Sequence, residues 1–439
     1  MNTYKKFCIS VLWILFFVGF FACDTARNTE DPDLSYFVKY YGGDGDQYGV
    51  DMLALQDGSF LLLGNYGVDA AQNDIYLLRV NAEGDVIWEK RFAEGNHNAK
   101  DLEPTNDGNF IILSDFQAEF GDQMDFKLLK VSPDGDILAT VVEGHGEAND
   151  YSRTVTVLAD GGFIVSGTTE FTDTYAIVNS PDPDLGDFFN YRFDANLNLI
   201  PENDWNPISP GFGGKLDVAV KTFEIPDETN NAAPHYYIFG FSNSNLTDNN
   251  PNRRLGLFYF RRDDGGGATD GIFPGIVEIT NDTQINFVET VPPEMGAGFF
   301  VVGTSQDQLS VSKIFIAKLR STLIFDRIGN DVTLFSIIPL GRNIRGVAAA
   351  SSLSGEYGFL ILGNEVRSTT ATNIWLSKID QSGIVLWSTT FGSEAEDDFG
   401  AAVTQLPDGK IVILGTMGLA DNQFKMAFIK VNPRGEMLK

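Results

Sequence analysis

Three histidines occur in this chain, His97, His145 and His235, and none forms a His-x-x-x-His pair of the kind that holds zinc. His97 and His145 fall instead in matching turns, AEGNHNA and EGHGEAND, which would set both on one rim of adjacent repeats as surface turn residues. Carboxylates gather in the same kind of turn: Asp44 and Asp46, then Glu147 and Asp150, then Glu394, Glu396, Asp397 and Asp398. Together with the two histidines they outline a candidate binding rim. Such turns offer oxygen ligands to calcium, yet no complete calcium-loop pattern is present, so solvated turns and no cofactor are expected. A carboxylate pair set for glycoside hydrolysis stays open, because its spacing exists only in three dimensions. The chain has no Gly-x-Ser-x-Gly elbow, no P-loop and no Gly-x-Gly-x-x-Gly. Trp205, in the irregular stretch NDWNP, is the best candidate for an exposed aromatic contact, whereas Trp88 and Trp387 sit at repeating positions that suit packing between repeats.

The elements that must carry these turns follow from seven apolar runs: FLLLG (60–64), FIILS (110–114), FIVSG (163–167), YYIFG (236–240), FFVVG (299–303), FLILG (359–363) and IVILG (411–415). Their ends lie 50 to 73 residues apart, on the long side of propeller repeats, near ~50 for kelch-type units. Short apolar runs bounded by turn residues suit strands covered on both faces. A tight turn precedes most of them (Asp57-Gly58, Asp107-Gly108, Asp160-Gly161, Gly355, Asp408-Gly409), and Asp-Gly between two apolar runs marks a hairpin because Gly accepts φ > 0 at little cost. An alternating strand ending in a second turn comes after: 74–84, 125–135, 255–265, 313–321, 373–383 and 425–435, with a degenerate third copy near 189–198. A fourth strand carries Val86-Ile87-Trp88 or Val385-Leu386-Trp387, with 323–325 expected in the corresponding place.

These features predict an all-β fold: a seven-bladed β-propeller of four-stranded antiparallel blades spanning 35–439. Near its start, YFVKYYGG (36–43) looks like the fourth strands, while the last repeat stops at 435–439 before its own. The amino-terminal strand should therefore close the last blade. Blades over 180–345 carry long insertions, at 226–234, 242–254 and 263–270, and depart most from the pattern.

Lys5 and Lys6 precede an apolar run, 7–21, that is short for a membrane span and right for a signal h-region. It closes on Gly19-Phe20-Phe21-Ala22-Cys23, which resembles the bacterial lipobox, with Phe20 where Leu is usual. The resemblance implies removal of 1–22, a lipidated Cys23 and, over 23–34, an acidic tether, similar to the surface-export signals of some Gram-negative lipoproteins. The chain would then be exported, held to the outer membrane and displayed outward. Only Cys8 and Cys23 exist, so the mature domain has no thiol for a disulfide, a thiolate metal site or a nucleophile.

The repeat as a whole resembles the seven-bladed β-propellers of bacterial exported proteins, a group known more for fold than for chemistry. Sixty acidic residues against 31 basic ones give a net charge of −29, which argues against nucleic acid as a partner. The leading expectation is a binding or protein-interaction scaffold working through rim loops, with a protein or glycan partner. A carbohydrate-active or other hydrolase using rim carboxylates is the alternative, and an accessory subunit of an outer-membrane transport or secretion complex is a third.

Overall fold

The computed structural model describes residues 36–437 apart from 70–71, 120–121, 147, 171–186, 202–204, 206–216, 226–233, 243–254, 264–276, 281–283, 292–297, 308, 310, 321–331, 354–356, 369–370, 394 and 420–422. The signal segment, Cys23 and the tether lie outside the described residues, as do Glu147 and Glu394.

Every named element is a strand. After β1 (Phe37–Tyr41) come β2 (Gln47–Ala54), β3 (Phe60–Asp69), β4 (Gln72–Val80) and β5 (Val86–Phe92), then β6 (Asn96–Pro104), β7 (Phe110–Gln117), β8 (Asp125–Val131) and β9 (Ile137–Glu143). The third repeat gives β10 (Asp150–Val157), β11 (Phe163–Thr169) and β12 (Asp187–Phe193). Next are β13 (Asp217–Ile225), β14 (His235–Ser242), β15 (Leu255–Asp263), β16 (Val277–Thr280), β17 (Gln284–Val291), β18 (Gly298–Gln306), β19 (Ser312–Arg320) and β20 (Val332–Pro339). The chain ends with β21 (Ile344–Ser352), β22 (Gly358–Ser368), β23 (Ala371–Asp380), β24 (Val385–Phe391), β25 (Asp398–Gln405), β26 (Ile411–Leu419) and β27 (Gln423–Val431).

Each repeat folds into an antiparallel meander, and the fold is an all-β propeller. Four-stranded sheets number six among the described residues, where seven were expected; the third repeat gives a three-stranded sheet, β10–β11–β12. Its stretch after β12 contributes only an isolated bridge, Phe193 to Leu199. A second correction concerns the fourth strand beside β19. It is β20, paired through Ile314↔Ile338 and Phe315↔Ile337, and not the 323–325 segment, which lies outside the described residues. The β-branched stretch VTLFSIIP was overlooked because the regular repeats begin their fourth strand directly after the turn.

β1 pairs antiparallel with β27, Phe37 opposite Lys430 and Tyr41 opposite Met426, and so forms the outer strand of the last sheet. First strands adjoin one another in a closed circuit, β2, β6, β10, β13, β17, β21, β25 and back to β2. Apolar clusters fill the gaps between sheets. Leu62, Tyr76 and Leu78 meet Val412, Leu414 and Phe428 across the closure, and Leu61 and Leu63 meet Ile112 and Leu129 at the next boundary. All of these except Tyr76 and Leu129, which are nearly so, are wholly shielded from solvent, and each contributes roughly 1.5–3 kcal/mol. Trp88 and Trp387 belong to such boundaries, as their spacing suggested.

A β-bulge interrupts the first strand of each sheet, for instance between Gly49 and Asp51, Ala99 and Asp101, and Gly400 and Ala402. The bulge turns a backbone N–H out of its own ladder, and the residue just after the preceding blade's apolar run accepts it. Gly49 N donates to Thr416 Oγ1 at 3.0 Å, Ala99 N to Asn65 Oδ1 at 2.8 Å and Ser152 N to Asp115 Oδ1 at 2.7 Å. Gly346 N donates to Thr304 Oγ1 at 3.0 Å and Gly400 N to Asn364 Oδ1 at 2.8 Å. Blades are thus latched near the axis by one polar side chain per boundary at five boundaries.

Candidate functional site

Most of the described acids of the expected rim are occupied by backbone. Asp46 Oδ1 accepts Phe424 N at 2.9 Å and Asp397 Oδ1 accepts Thr372 N at 2.7 Å. Asp398, fully buried, accepts Ser393 N at 2.9 Å and Gly418 N at 3.1 Å. Asp150 is buried as well and accepts the His145 N–H. Burial pushes its carboxyl up to about 6, a rise that the His145 N–H opposes and the charge of Asp125 reinforces. Asp44 alone among the described rim acids is exposed, and its turn takes shape around carbonyls rather than its carboxylate. Asp46, Asp150, Asp397 and Asp398 are turn staples rather than solvated turn acids. One rim turn also holds a cation of its own: Lys425 Nζ donates to Gly43 O and Gly45 O at 2.6 Å and to Gln47 Oε1 at 2.8 Å.

Two other expectations are corrected. His97 is 1% exposed, with Nδ1 3.0 Å from Ser114 Oγ and Nε2 2.8 Å from the Glu94 carbonyl. Burial, aided by the nearby Lys127 ammonium, lowers it to about 4, so the ring is neutral at physiological pH. It shares its place with Gln47, Asp150 and Asp398, each buried and each opposite the second residue after an apolar run. That column of polar residues was the available signal. Trp205 is 2% exposed, packs edge-on against Tyr236 at 5.3 Å and donates Nε1–H to Asn190 O at 2.8 Å. An indole whose single donor finds a carbonyl can be engulfed even within a polar-looking segment.

Sequence reading missed a charged group on the first strands. Asp51 Oδ2 accepts Leu102 N at 3.0 Å, and Asp101 Oδ2 accepts Thr154 Oγ1 and Val155 N at 2.8 Å each. Lys221 Nζ reaches Glu103 Oε1 at 2.9 Å, two blades away. Burial, then the charges of Asp101 and Glu103, drive Asp51 well above the carboxylate range; burial also raises Glu289, against the Thr290 N–H and the pull of Arg153 and Lys221. Burial works against the Lys221 ammonium, but Glu103 and Asp101 outweigh it and hold the charge. The group stands where the bulges face the axis, and only the alignment of bulges brings it together.

Beside the axis, between the first two blades, opens a cleft of about 550 Å³. Tyr48, Asn65, Asn73, Asn96, His97, Asn98 and Met124 line it, and among the described residues no charged side chain does. Asn65 is committed to the latch, its Nδ2 donating to Asn98 Oδ1 at 3.3 Å. Asn96 Oδ1 accepts Asn73 N at 3.0 Å.

No family model matches the sequence, and neither does any curated protein. Among solved structures the chain is similar to Drosophila Plexin A in complex with Semaphorin 1b, at 10% identity over 91% of this chain and 86% of that one, with a TM-score of 0.46. It is also similar to the β-propeller domain of the Trilobed protease from Pyrococcus furiosus, at 8% identity over 90% and 96%, TM-score 0.43. A third likeness is to the α-L-arabinanase of Penicillium chrysogenum, at 10% identity over 77% and 93%, TM-score 0.43. The fold assignment rests on the sheets and their circuit.

Proposed function

We propose that this chain is a lipid-anchored binding module of the bacterial cell envelope, a seven-bladed propeller that meets its partner at the rim. The carrying observation is how the rim acids are used: Asp46, Asp150, Asp397 and Asp398 are spent as acceptors for turn N–H groups, while the neighbouring cleft keeps uncommitted amides. Rigid blades presenting such a surface suit recognition. The three-stranded β10–β12 sheet counts as the third blade, a view supported by its first strand's place in the circuit between β6 and β13. The lipobox-like Ala22-Cys23 supports anchoring to the outer membrane through Cys23, and the acidic stretch behind it supports outward display.

Two measurements test this reading. Cys23→Ala should move the protein from the membrane fraction to the soluble one; unchanged membrane association would remove the anchor from the proposal. Cross-linking of the intact lipidated protein in its native envelope, followed by mass spectrometry, should yield a stoichiometric partner or a bound glycan that is lost when the rim loops are altered. Recovery of neither sinks the binding role.

Hydrolysis is the second reading, favoured by the raised carboxyls of Asp51 and Glu289 near the axis. Turnover of an oligosaccharide that disappears in a folded Glu289→Gln variant would establish it in place of the first.

A further inference from the structure

We infer that the cleft between the first two blades is a subsite for a neutral carbohydrate, a deepening that rests on the binding reading above. Its volume, about 550 Å³, falls within the range of small-molecule sites, ~300–1,000 Å³. Four carboxamides converge on it from three strands: Asn65 on β3, Asn73 on β4, Asn96 and Asn98 on β6. A carboxamide carries a donor and an acceptor in one plane, the complement of adjacent hydroxyls on a sugar ring.

The supply of unused hydrogen-bonding capacity is specific. Asn65 is filled on both atoms by Ala99 N and Asn98 Oδ1. Asn96 and Asn98 each have the oxygen engaged, which leaves the two Nδ2 groups as donors. No hydrogen bond among the described residues uses the Asn73 carboxamide. Tyr48, held against Phe424 with ring centroids 5.5 Å apart, supplies an aromatic wall, and Met124 a soft apolar one.

Charge decides the class of sugar. The chain carries a net −29, which repels acidic glycans, yet among the described residues no carboxylate lines the cleft to attract a cationic ligand. His97, the one titratable imidazole at the wall, is neutral above about 4.

The test is calorimetric titration of the full lipidated protein in detergent with a panel of neutral, acidic and amino oligosaccharides and with capped neutral peptides. A neutral oligosaccharide should bind, and its affinity should stay flat from pH 5.5 to 8 and between low and high salt. Asn73→Ala and Asn98→Ala should each weaken binding by about tenfold, the value of one hydrogen bond left unmade; Asn73→Ala should leave the melting temperature unchanged, whereas Asn98→Ala, which also removes the acceptor of Asn65 Nδ2, should lower it slightly. Absence of neutral-glycan binding, binding indifferent to Asn73→Ala and Asn98→Ala, or preference for the peptides overturns the assignment. A cross-linked partner recovered from the envelope alongside a silent titration would sink this subsite while leaving the binding module standing; failure of both would sink the module itself.

Discussion

The repeats at either end of the chain and those in its middle solve one problem differently. At the turn between third and fourth strands, the regular blades place a glycine at positive φ, as at Gly135 (φ 77°), and set it under an aromatic ring of the preceding blade. A Cβ on Gly135 would lie 2.8 Å from Trp88. The third repeat has Leu197 at the same place, also at positive φ (64°), with its N–H donating to Asp194 O at 3.0 Å just as Gly135 N donates to Ser132 O at 2.9 Å. Leu197 is 5% exposed and packs with Phe193 and Leu128. Backbone ease has been exchanged for side-chain burial, and among the described residues no fourth strand joins that sheet. At Gly84, Gly135 and Gly435 the turn glycine lies under an aromatic side chain of the neighbouring blade, whereas at Leu197 a buried side chain takes that place.

The sharpest way to break that comparison is at Trp205, which fills the third blade where a fourth strand stands elsewhere. Trp205→Ala should destabilise by about 3–5 kcal/mol, as for other fully buried aromatics, measured by urea unfolding; a loss under ~1 kcal/mol would restore an exposed contact role. Asp150 comes next. Its carboxyl is raised to about 6 in the fold, so the folded state disfavours the charged form. Stability should be greatest below the unfolded value, fall as pH rises from about 4 to 6 and then level off, by about 2–3 kcal/mol for this group. Asp150→Asn should flatten that share of the slope in unfolding curves taken at pH 4 and 7, and an unaltered slope would show that the group does not carry it.

Latches give a smaller effect. Asn65→Ala and Asn364→Ala each leave a bulge N–H unpaired and should lose about 1–3 kcal/mol; if neither changes the denaturation midpoint, the latches are incidental. Smallest is the glycine pair. Gly58 (φ 83°) has open space where a side-chain methyl would stand, with no atom within 4 Å, so Gly58→Ala should show the backbone penalty alone, about 1–2 kcal/mol. Gly135→Ala should lose more, since Trp88 must also move. Equal losses would mean that the aromatic cover contributes nothing to the regular turns.

Much of the frame is local and therefore legible. Apolar runs, Asp-Gly turns and the likeness of 36–43 to a fourth strand each depend on a few consecutive residues, and the pairing of β1 with β27 follows from them. The site is not local. Asp51 acquires its environment from Leu102 and Asp101 one blade on, and Glu103 finds Lys221 two blades on. The burial of His97 and Trp205 depends on neighbours that no window of sequence contains. Some of this was within reach: Asn65, Asp115, Thr304, Asn364 and Thr416 all follow an apolar run directly, and aligning the runs by their ends exposes a column of acceptors.

The closure of the last sheet sets an order of events. As the chain is synthesised, β1 emerges long before β27, so Phe37–Tyr41 must travel without this partner until Gln423–Val431 exists. The final sheet cannot form while any blade is still being made, and contacts of such separation are slow to find. Completion of the ring thereby waits on β27, and a chain interrupted anywhere before it would leave two exposed edges at once, one at each end of the open stack.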